Sequence, residues 1–154
     1  MVELVILTNS TLSLNAASGS SYSSGGGIEN VSGMVNLTNS TISNNQANAN
    51  GGGIYNYFGT VNSKNSIIAG NTASEGPDFS GSLTSQGYNL IGSISGISGN
   101  ISSDIINPNP LLGPLANNGG PTQTLALLAG SPAIDKGSAV DGVSTDQRGA
   151  TRSI

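Results

Sequence analysis

The stretch Gly51-Gly52-Gly53-Ile54 decides the fold, because it repeats Gly25-Gly26-Gly27-Ile28 at a distance of 26 positions. Val61 repeats Val35 at the same distance. A fixed internal period of this length is typical of solenoid proteins, in which each repeat forms one turn of a coil. The sequence therefore predicts stacked coils of about 26 residues.

An earlier copy of the repeat precedes these two. The segment LTNSTLS at 7–13 matches LTNSTIS at 37–43 at a distance of 30 positions, and Asn39-Ser40 recurs as Asn65-Ser66 at 26. The extra residues of the first copy fit within the serine-rich stretch 17–24, which predicts a lengthened loop there. Three turns of one repeat are therefore visible.

Short alternating runs, each ended by Asn or Gly, make up one turn. Val35-Asn36-Leu37-Thr38 alternates with period two, Thr41-Ile42-Ser43 is a second short run, and Gly52 to Asn56 begins a third. Period-two alternation is typical of strands, and each strand would pair with its equivalent one turn on, about 4.8 Å away. The predicted fold is all-β: a right-handed parallel β-helix of about three coils of roughly 26 residues, with an irregular C-terminal cap.

The period places aliphatic residues in columns that we expect to face inward. These columns are Val5, Val35 and Val61; Leu12, Ile42 and Ile68; and Ile28 and Ile54. Stacked equivalent positions of one side-chain type are what a narrow solenoid core requires.

Two asparagine rows also follow the period, and they have two interpretations. The rows are Asn9, Asn39 and Asn65, and Asn15, Asn45 and Asn71. They could bind sugar or metal, or they could form asparagine ladders whose amides hydrogen-bond along the stack and satisfy turn backbone. We favour the ladder, because the turns of a solenoid require such residues whatever the protein does.

The composition excludes several classes of function. The chain has 154 residues with no His and no Cys, which removes the commonest general base and any disulfide framework or thiolate metal site. Four basic residues and a net charge of −4 make nucleic acid an improbable partner. We expect no cofactor, no metal, no catalytic residue and no membrane span in this chain.

Six motifs in the C-terminal half carry a family resemblance. They are GPDF at 76–79, GYNLIG at 87–92, PLLGPL at 110–115, NGGPT at 118–122, GSPAID at 130–135 and TDQRG at 145–149. Their order resembles that of the choice-of-anchor Q domain. The repeats before them resemble the parallel β-helix repeats of large bacterial surface proteins.

The resemblance implies a C-terminal position in an extracellular bacterial β-helix protein, ahead of an anchoring signal that this chain lacks. It divides the chain into coils at 1–76 and choice-of-anchor Q-like final coils with a cap at 77–154, together one continuous unit and part of a longer protein. Asn109 and Asn117 stand where that family often has Asp, and Leu125 where it often has His. These departures weaken any metal or acid–base role.

One polar constellation remains near the C-terminus: Asp135, Asp146 and Arg148. It could be a calcium or ligand site, or an Asp–Arg bridge that pins the C-terminal extension to the cap. We favour the bridge, because a guanidinium suits bidentate pairing with a carboxylate.

The sequence thus predicts a non-catalytic, adhesin-like structural segment, extracellular or at the cell surface, and monomeric. Tyr55, Tyr57 and Phe58 could contact a glycan or a host or cell-surface protein, or could simply pack at an edge. The alternative is the C-terminal part of a carbohydrate-binding or polysaccharide-degrading β-helix enzyme whose catalytic coils lie upstream.

Overall fold

The structure, a computed structural model, describes residues 3–99 and 101–152. Within these residues every regular element is a β-strand, so the all-β prediction is confirmed. None of the described residues belongs to a helix that is long and apolar enough to cross a membrane.

Fifteen strands build the coils and two more follow them. The first turn contains β1 (Leu4–Thr8), β2 (Thr11–Ser13), β3 (Ala16–Ala17) and β4 (Ile28–Asn30), and the second contains β5 (Met34–Thr38), β6 (Thr41–Ser43), β7 (Gln46–Ala47) and β8 (Ile54–Asn56). The third turn contains β9 (Thr60–Lys64), β10 (Ile67–Ile68) and β11 (Phe79–Ser82). Shorter strands complete the stack: β12 (Thr84–Ser85), β13 (Leu90–Ile91), β14 (Ile97–Ser98) and β15 (Ile105–Ile106). The last two strands are β16 (Leu112–Ala116) and β17 (Thr124–Leu127).

Three parallel sheets run along the stack. Their strand orders are β1-β5-β9-β12, β2-β6-β10-β13-β15 and β4-β8-β11-β14, with β3 and β7 forming a short extra pair. Each strand pairs in parallel with its equivalent one turn away. This arrangement is a parallel β-solenoid of about three turns, as the sequence predicts.

The register follows the predicted period. Val5 lies opposite Val35, and Val35 lies opposite Val61. The other predicted columns also form: Leu12, Ile42 and Ile68 in one sheet, and Ile28 and Ile54 in another. The offsets of 30 and then 26 residues are therefore real turn lengths.

The apolar columns form the core, but they are not equally covered. Val35 is 3% exposed and Ile42, Ile54, Val61 and Ile68 are fully buried. Val5 stands in the same column as Val35 and yet is 46% exposed, because no described coil lies before it. Val5 therefore lies in the predicted column, and its exposure shows that the first turn leaves the core open at its end.

Stacking continues after the 26-residue period disappears from the sequence. Phe79 lies opposite Ile54, Leu90 opposite Ile67, and Ile105 opposite Leu90, so the turns shorten steadily. Phe79 is fully buried and joins the core of the earlier turns. The solenoid thus tapers toward its C-terminal end.

After the coils, β16 and β17 form an antiparallel hairpin with an irregular register between Leu112 and Leu115. The chain then returns to the coils. Residues 138–152, here called the C-terminal strap, hydrogen-bond to Asn9, Thr11 and Asn65. The strap, which is part of the predicted irregular C-terminal segment, thus bonds to the first and third turns.

Candidate functional site

Asn15, Asn45 and Asn71 form a continuous ladder, here called the inner ladder. The backbone N–H and Nδ2 of Asn15 donate to Asn45 Oδ1 at 3.1 and 2.9 Å. The same groups of Asn45 donate to Asn71 Oδ1 at 2.9 and 3.0 Å. Asn45 and Asn71 are buried. These amides are used in bonding one turn to the next, so the ladder interpretation is confirmed for this row.

Asp78 takes the next place in the inner ladder. The backbone N–H and Nδ2 of Asn71 donate to Asp78 Oδ1 at 2.9 and 3.0 Å. A strict 26-residue register would place Asp78 over Gly52, but Phe79 lies opposite Ile54, which shifts Asp78 by one position. A carboxylate accepts the same two bonds that an asparagine Oδ1 accepts, so it can end the row.

Burial raises the pKa of the Asp78 carboxyl above 3.8, because the ionised form loses its hydration. Hydrogen bonds from Asn71 and from the Ser93 backbone favour the ionised form and only partly oppose this rise. Asp78 is 4% exposed, which agrees with a dominant effect of desolvation. The folded chain therefore holds this proton more tightly than the unfolded chain does.

A pH dependence of stability follows from Asp78. At pH values below the ordinary pKa of 3.8 the group is protonated in both states, and its contribution to stability is fully present. That contribution is lost as pH rises from 3.8 through the raised folded-state pKa, because the folded chain must then carry a buried charge. We expect the unfolding free energy of Asp78→Asn, measured in urea, to increase relative to that of the unchanged chain as pH rises through this window.

Glu75→Gln is the matched control for this measurement, because Glu75 is a nearby exposed carboxylate. The gain of Asp78→Asn with rising pH should exceed any change seen in Glu75→Gln. If the two variants change alike, Asp78 does not titrate differently on folding.

The second predicted row, Asn9, Asn39 and Asn65, forms a corner of each turn. All three residues have left-handed backbone, with φ of 51°, 51° and 53°. Asparagine tolerates this conformation better than most residues. Asn65 Nδ2 donates to Asn39 Oδ1 at 3.0 Å, while Asn39 Nδ2 is buried and has no hydrogen-bond partner among the described residues. The row is thus a partial ladder, here called the corner row.

The C-terminal strap holds both ends of the corner row. Asn65 Nδ2 donates to Ser138 O at 2.7 Å and Asn65 Oδ1 accepts from Ser138 N at 3.1 Å. At the other end, Asn9 Nδ2 donates to Thr145 O at 2.9 Å and Asn9 Oδ1 accepts from Arg152 Nη2 at 3.2 Å. The strap therefore occupies the amides that a ligand would need.

Gln147 fixes the strap between two other segments. Its Oε1 accepts from Thr11 Oγ1 at 2.7 Å, and its Nε2 donates to Thr122 Oγ1 at 2.9 Å. Thr11 belongs to the first turn, and Thr122 precedes β17. One side chain thus links the coils, the strap and the hairpin.

The structure brings together two of the three predicted C-terminal polar residues. Arg148 Nε and Nη2 donate to Asp146 Oδ2 at 2.8 and 2.6 Å. Asp146 Oδ1 accepts from the backbone N–H groups of Arg148 and Ala150. Asp135 is exposed and, within the described residues, forms no ion pair or hydrogen bond with either of the other two. The pair closes a local turn of the strap.

Partial burial acts to raise the pKa of Asp146, but hydrogen bonds from Arg148 and Ala150, with the charge of Arg148, outweigh it and hold the pKa below its usual value. The bridge lies at the surface and is partly exposed, and surface ion pairs contribute about 0.5 kcal/mol. We expect Arg148→Ala to lower the unfolding free energy by about that amount, measured by thermal denaturation. Arg148→Lys should recover only part of it, because lysine lacks the planar fork. An unchanged melting temperature in Arg148→Ala would show that the turn does not need the bridge.

A third row was not predicted, although its first three members, Ser10, Ser40 and Ser66, follow the same spacing as the asparagine rows. Ser10 N donates to Ser40 Oγ, and Ser40 N donates to Ser66 Oγ, both at 3.2 Å. Ser66 N then donates to Asn89 Oδ1 at 3.0 Å, and Asn89 Nδ2 donates to Asp104 Oδ1 at 3.0 Å. This serine row, like the inner ladder, ends in a carboxylate.

A further pair, Asn30 and Asn56, was also missed, although the 26-residue spacing could have revealed it. Asn30 Nδ2 donates to Asn56 Oδ1 at 3.0 Å, and Asn56 Nδ2 donates to Ser82 O at 2.8 Å. Both asparagines are buried. The pair holds the turns that follow β4 and β8.

An aromatic cluster stands on the surface beside that pair. The rings of Tyr55 and Tyr57 stack with centroids 5.9 Å apart, and those of Tyr57 and Phe58 are tilted with centroids 4.0 Å apart. Tyr57 is 57% exposed and Phe58 is 75% exposed. The cluster therefore presents flat apolar faces to solvent.

Two shallow, open grooves lie side by side on another edge of the coils. One, of about 300 Å³, is lined by Gln46, Ala47, Asn48, Thr72, Ala73 and Ser74. The other, of about 220 Å³, is lined by Ser21, Asn48, Ala49, Asn50, Ser74 and Glu75. Both are polar, and Glu75 is the one carboxylate among these lining residues.

Comparison of the chain with protein-family models, with curated proteins and with solved structures found no match. Across residues 3–99 and 101–152, no three His, Cys, Asp or Glu side chains come close enough together to hold a metal ion. The clearest feature that the geometry offers is therefore the set of ladders itself.

Proposed function

We propose that this chain is a non-catalytic, rigid structural segment of an extracellular bacterial surface protein, in which stacked coils hold outward-facing loops at fixed positions. The observation that supports the proposal most directly is that two carboxylates serve as hydrogen-bond acceptors within the coils. Asp78 and Asp104, which a β-helix enzyme could use for chemistry, end the inner ladder and the serine row. The polar side chains at the turns thus bind each turn to the next.

The loop at 18–25 is the part of the first turn best suited to display. It holds the four extra residues of the first copy, and Tyr22 at its tip is 86% exposed. The strands on either side of it, β3 and β4, each pair with the next turn. A loop held at both ends by a ladder-bonded coil can vary in length and sequence at little energetic cost.

An insertion experiment tests this role. A short epitope placed between Ser21 and Tyr22 should be bound by its antibody, and the melting temperature of the chain should change little. The same insertion between Ala47 and Asn48 is the matched control, because Ala47 is buried and belongs to β7. It should lower the melting temperature strongly. Equal losses at both sites would contradict a display role for the loop.

The proposal also requires that purified protein release no reducing ends from a panel of plant and bacterial polysaccharides. Release that Asp78→Asn abolishes would overturn the non-catalytic assignment. It would support the alternative of a polysaccharide-degrading β-helix.

The aromatic cluster favours a second candidate function, the binding of a glycan or of a host or cell-surface protein. Flat aromatic faces suit stacking against sugar rings as well as protein contacts. On a glycan array, Tyr57→Ala and Phe58→Ala should remove binding, whereas Tyr22→Ala should keep it. Glycan binding that survives both cluster variants would show that another surface binds the glycan. No binding at all would favour a purely structural segment.

A further inference from the structure

The first turn of the solenoid leaves an apolar strand edge open to solvent. Leu4, Val5 and Ile6 of β1 are 56%, 46% and 63% exposed. Val35, the equivalent of Val5 in the second turn, is 3% exposed. Soluble β-proteins usually protect such edges with charge, proline or a bulge. β1, with the sequence LVILT, has none of these.

The free edge has a defined hydrogen-bonding pattern. Met34 N donates to Glu3 O, and Asn9 N donates to Thr38 O, so the odd-numbered residues of this segment bond toward β5. In a parallel ladder the alternate residues bond to the opposite neighbour. The backbone groups of Leu4, Ile6 and Thr8 therefore point to the side on which no described strand lies.

The ladders show which hydrogen-bonding groups a neighbouring coil would have to supply at this edge. In the inner ladder each turn donates its backbone N–H and Nδ2 to the Oδ1 of the following turn. In the serine row each turn donates its backbone N–H to the following Oγ. Asn15 Oδ1 and Ser10 Oγ hold the first places in these rows. Within the described residues neither atom receives a bond from a preceding turn.

We propose that this end of the solenoid is the docking surface for one further parallel β-coil of about 26 residues. That coil would carry an amide or backbone donor over Asn15 Oδ1, a backbone N–H over Ser10 Oγ, and apolar side chains over Val5 and Leu12. The inference is independent of the proposed function, because any role of the chain leaves the same edge to be covered.

A second copy of the chain fits this surface poorly. Two copies meeting at their first turns would place Asn15 Oδ1 against an equivalent acceptor, and β1 against an antiparallel strand. A copy stacked end to end would bring the tapered coil of β12 to β15 against the wide first turn. The observed rows require donors in a parallel coil of full size.

A fusion experiment tests the proposal on the complete chain. A copy of residues 31–56 is placed directly before Met1, so that the copied Val35 precedes Val5 by 26 positions, as Val35 precedes Val61. The control fusion lacks one residue at the junction, which turns every copied side chain to the opposite face. Hydrogen exchange is then measured at Leu4, Ile6 and Thr8.

The in-register fusion should slow exchange of these three amides by at least tenfold and raise the melting temperature, and the control fusion should do neither. Equal exchange in the two fusions, or failure of the in-register fusion to fold, would overturn the proposal. Light scattering of the unfused chain gives a second readout. A stable dimer whose formation protects the same amides would assign the edge to a second copy instead.

Discussion

A Gly52→Ala variant is expected to lose about 3 kcal/mol of unfolding free energy, because a Cβ at this position would collide with the backbone of the next turn. That Cβ would overlap Thr72 O and would lie 2.6 Å from Pro77 O. Both partners are backbone atoms of a ladder-bonded turn, so neither can move without separating the coils. Urea denaturation followed by circular dichroism measures the loss.

Gly19→Ala is the matched control. Gly19 is exposed, and a Cβ there would meet only Ser23 Oγ, at 3.9 Å. The substitution should be neutral or slightly stabilising, since alanine restricts the unfolded chain more than glycine does. A small effect of Gly52→Ala, comparable with that of Gly19→Ala, would show that the turns can separate without cost.

The glycine triplets show how far the sequence could predict the fold. Their 26-residue spacing was enough to predict the coil and its register. Tight turning explains only their first members, since Gly25 and Gly51 have positive φ of 68° and 61°. Gly26 and Gly52 are needed because successive turns approach too closely for a Cβ. Such an approach depends on how the coils stack, which one turn of sequence does not reveal.

The ladders also differ in how far the sequence could predict them. The inner ladder was predictable, because one residue type recurs at a constant spacing. The serine row passes from Ser66 to Asn89 and Asp104 while the turns shorten, so neither residue type nor spacing repeats. Asp78 accepts from Asn71, which lies only seven residues before it, so no constant period marks Asp78 as the end of the inner ladder.

The position of the C-terminal strap could not be predicted from the sequence, for a different reason. Its bonds to the coils join residues 73 to 143 positions apart, such as Asn65 with Ser138 and Asn9 with Arg152. Asn9 and Asn65 follow the period of the coils, but no periodic pattern marks their partners in the strap, Ser138, Thr145 and Arg152. The resemblance in the C-terminal half suggested an order of motifs, and it contained no information on which side of the stack they lie.

The strap also explains why the two asparagine rows differ. The corner row has one amide-to-amide bond and a buried Nδ2 without a partner at Asn39, and the strap satisfies its two ends. The inner ladder needs no outside partner, because every step supplies two donors and one acceptor. Most of the rigidity that the proposed function requires should therefore come from the inner ladder.

An Asn71→Ala variant tests that conclusion and is expected to lose about 3–5 kcal/mol of unfolding free energy, because several buried polar groups would lose their partners at once. Asn71 Oδ1 accepts both donors of Asn45, and Asn71 Nδ2 donates to Ile42 O and to Asp78 Oδ1. Each buried group left unpaired costs about 1–3 kcal/mol. Urea denaturation measures the total.

Two further variants separate the ladder from simple loss of packing. Asn62→Ala removes one amide of the half-buried Asn36–Asn62 pair and should cost no more than about 1 kcal/mol. Asn71→Asp keeps the shape and the Oδ1 acceptor but turns a carboxylate oxygen toward Asp78, so two acidic groups would face each other. Its loss should be large at neutral pH and should diminish as pH falls, because protonation restores a donor between them. If Asn71→Asp is as stable as the unchanged chain at neutral pH, the row does not depend on donor and acceptor order, and packing alone holds the turns together.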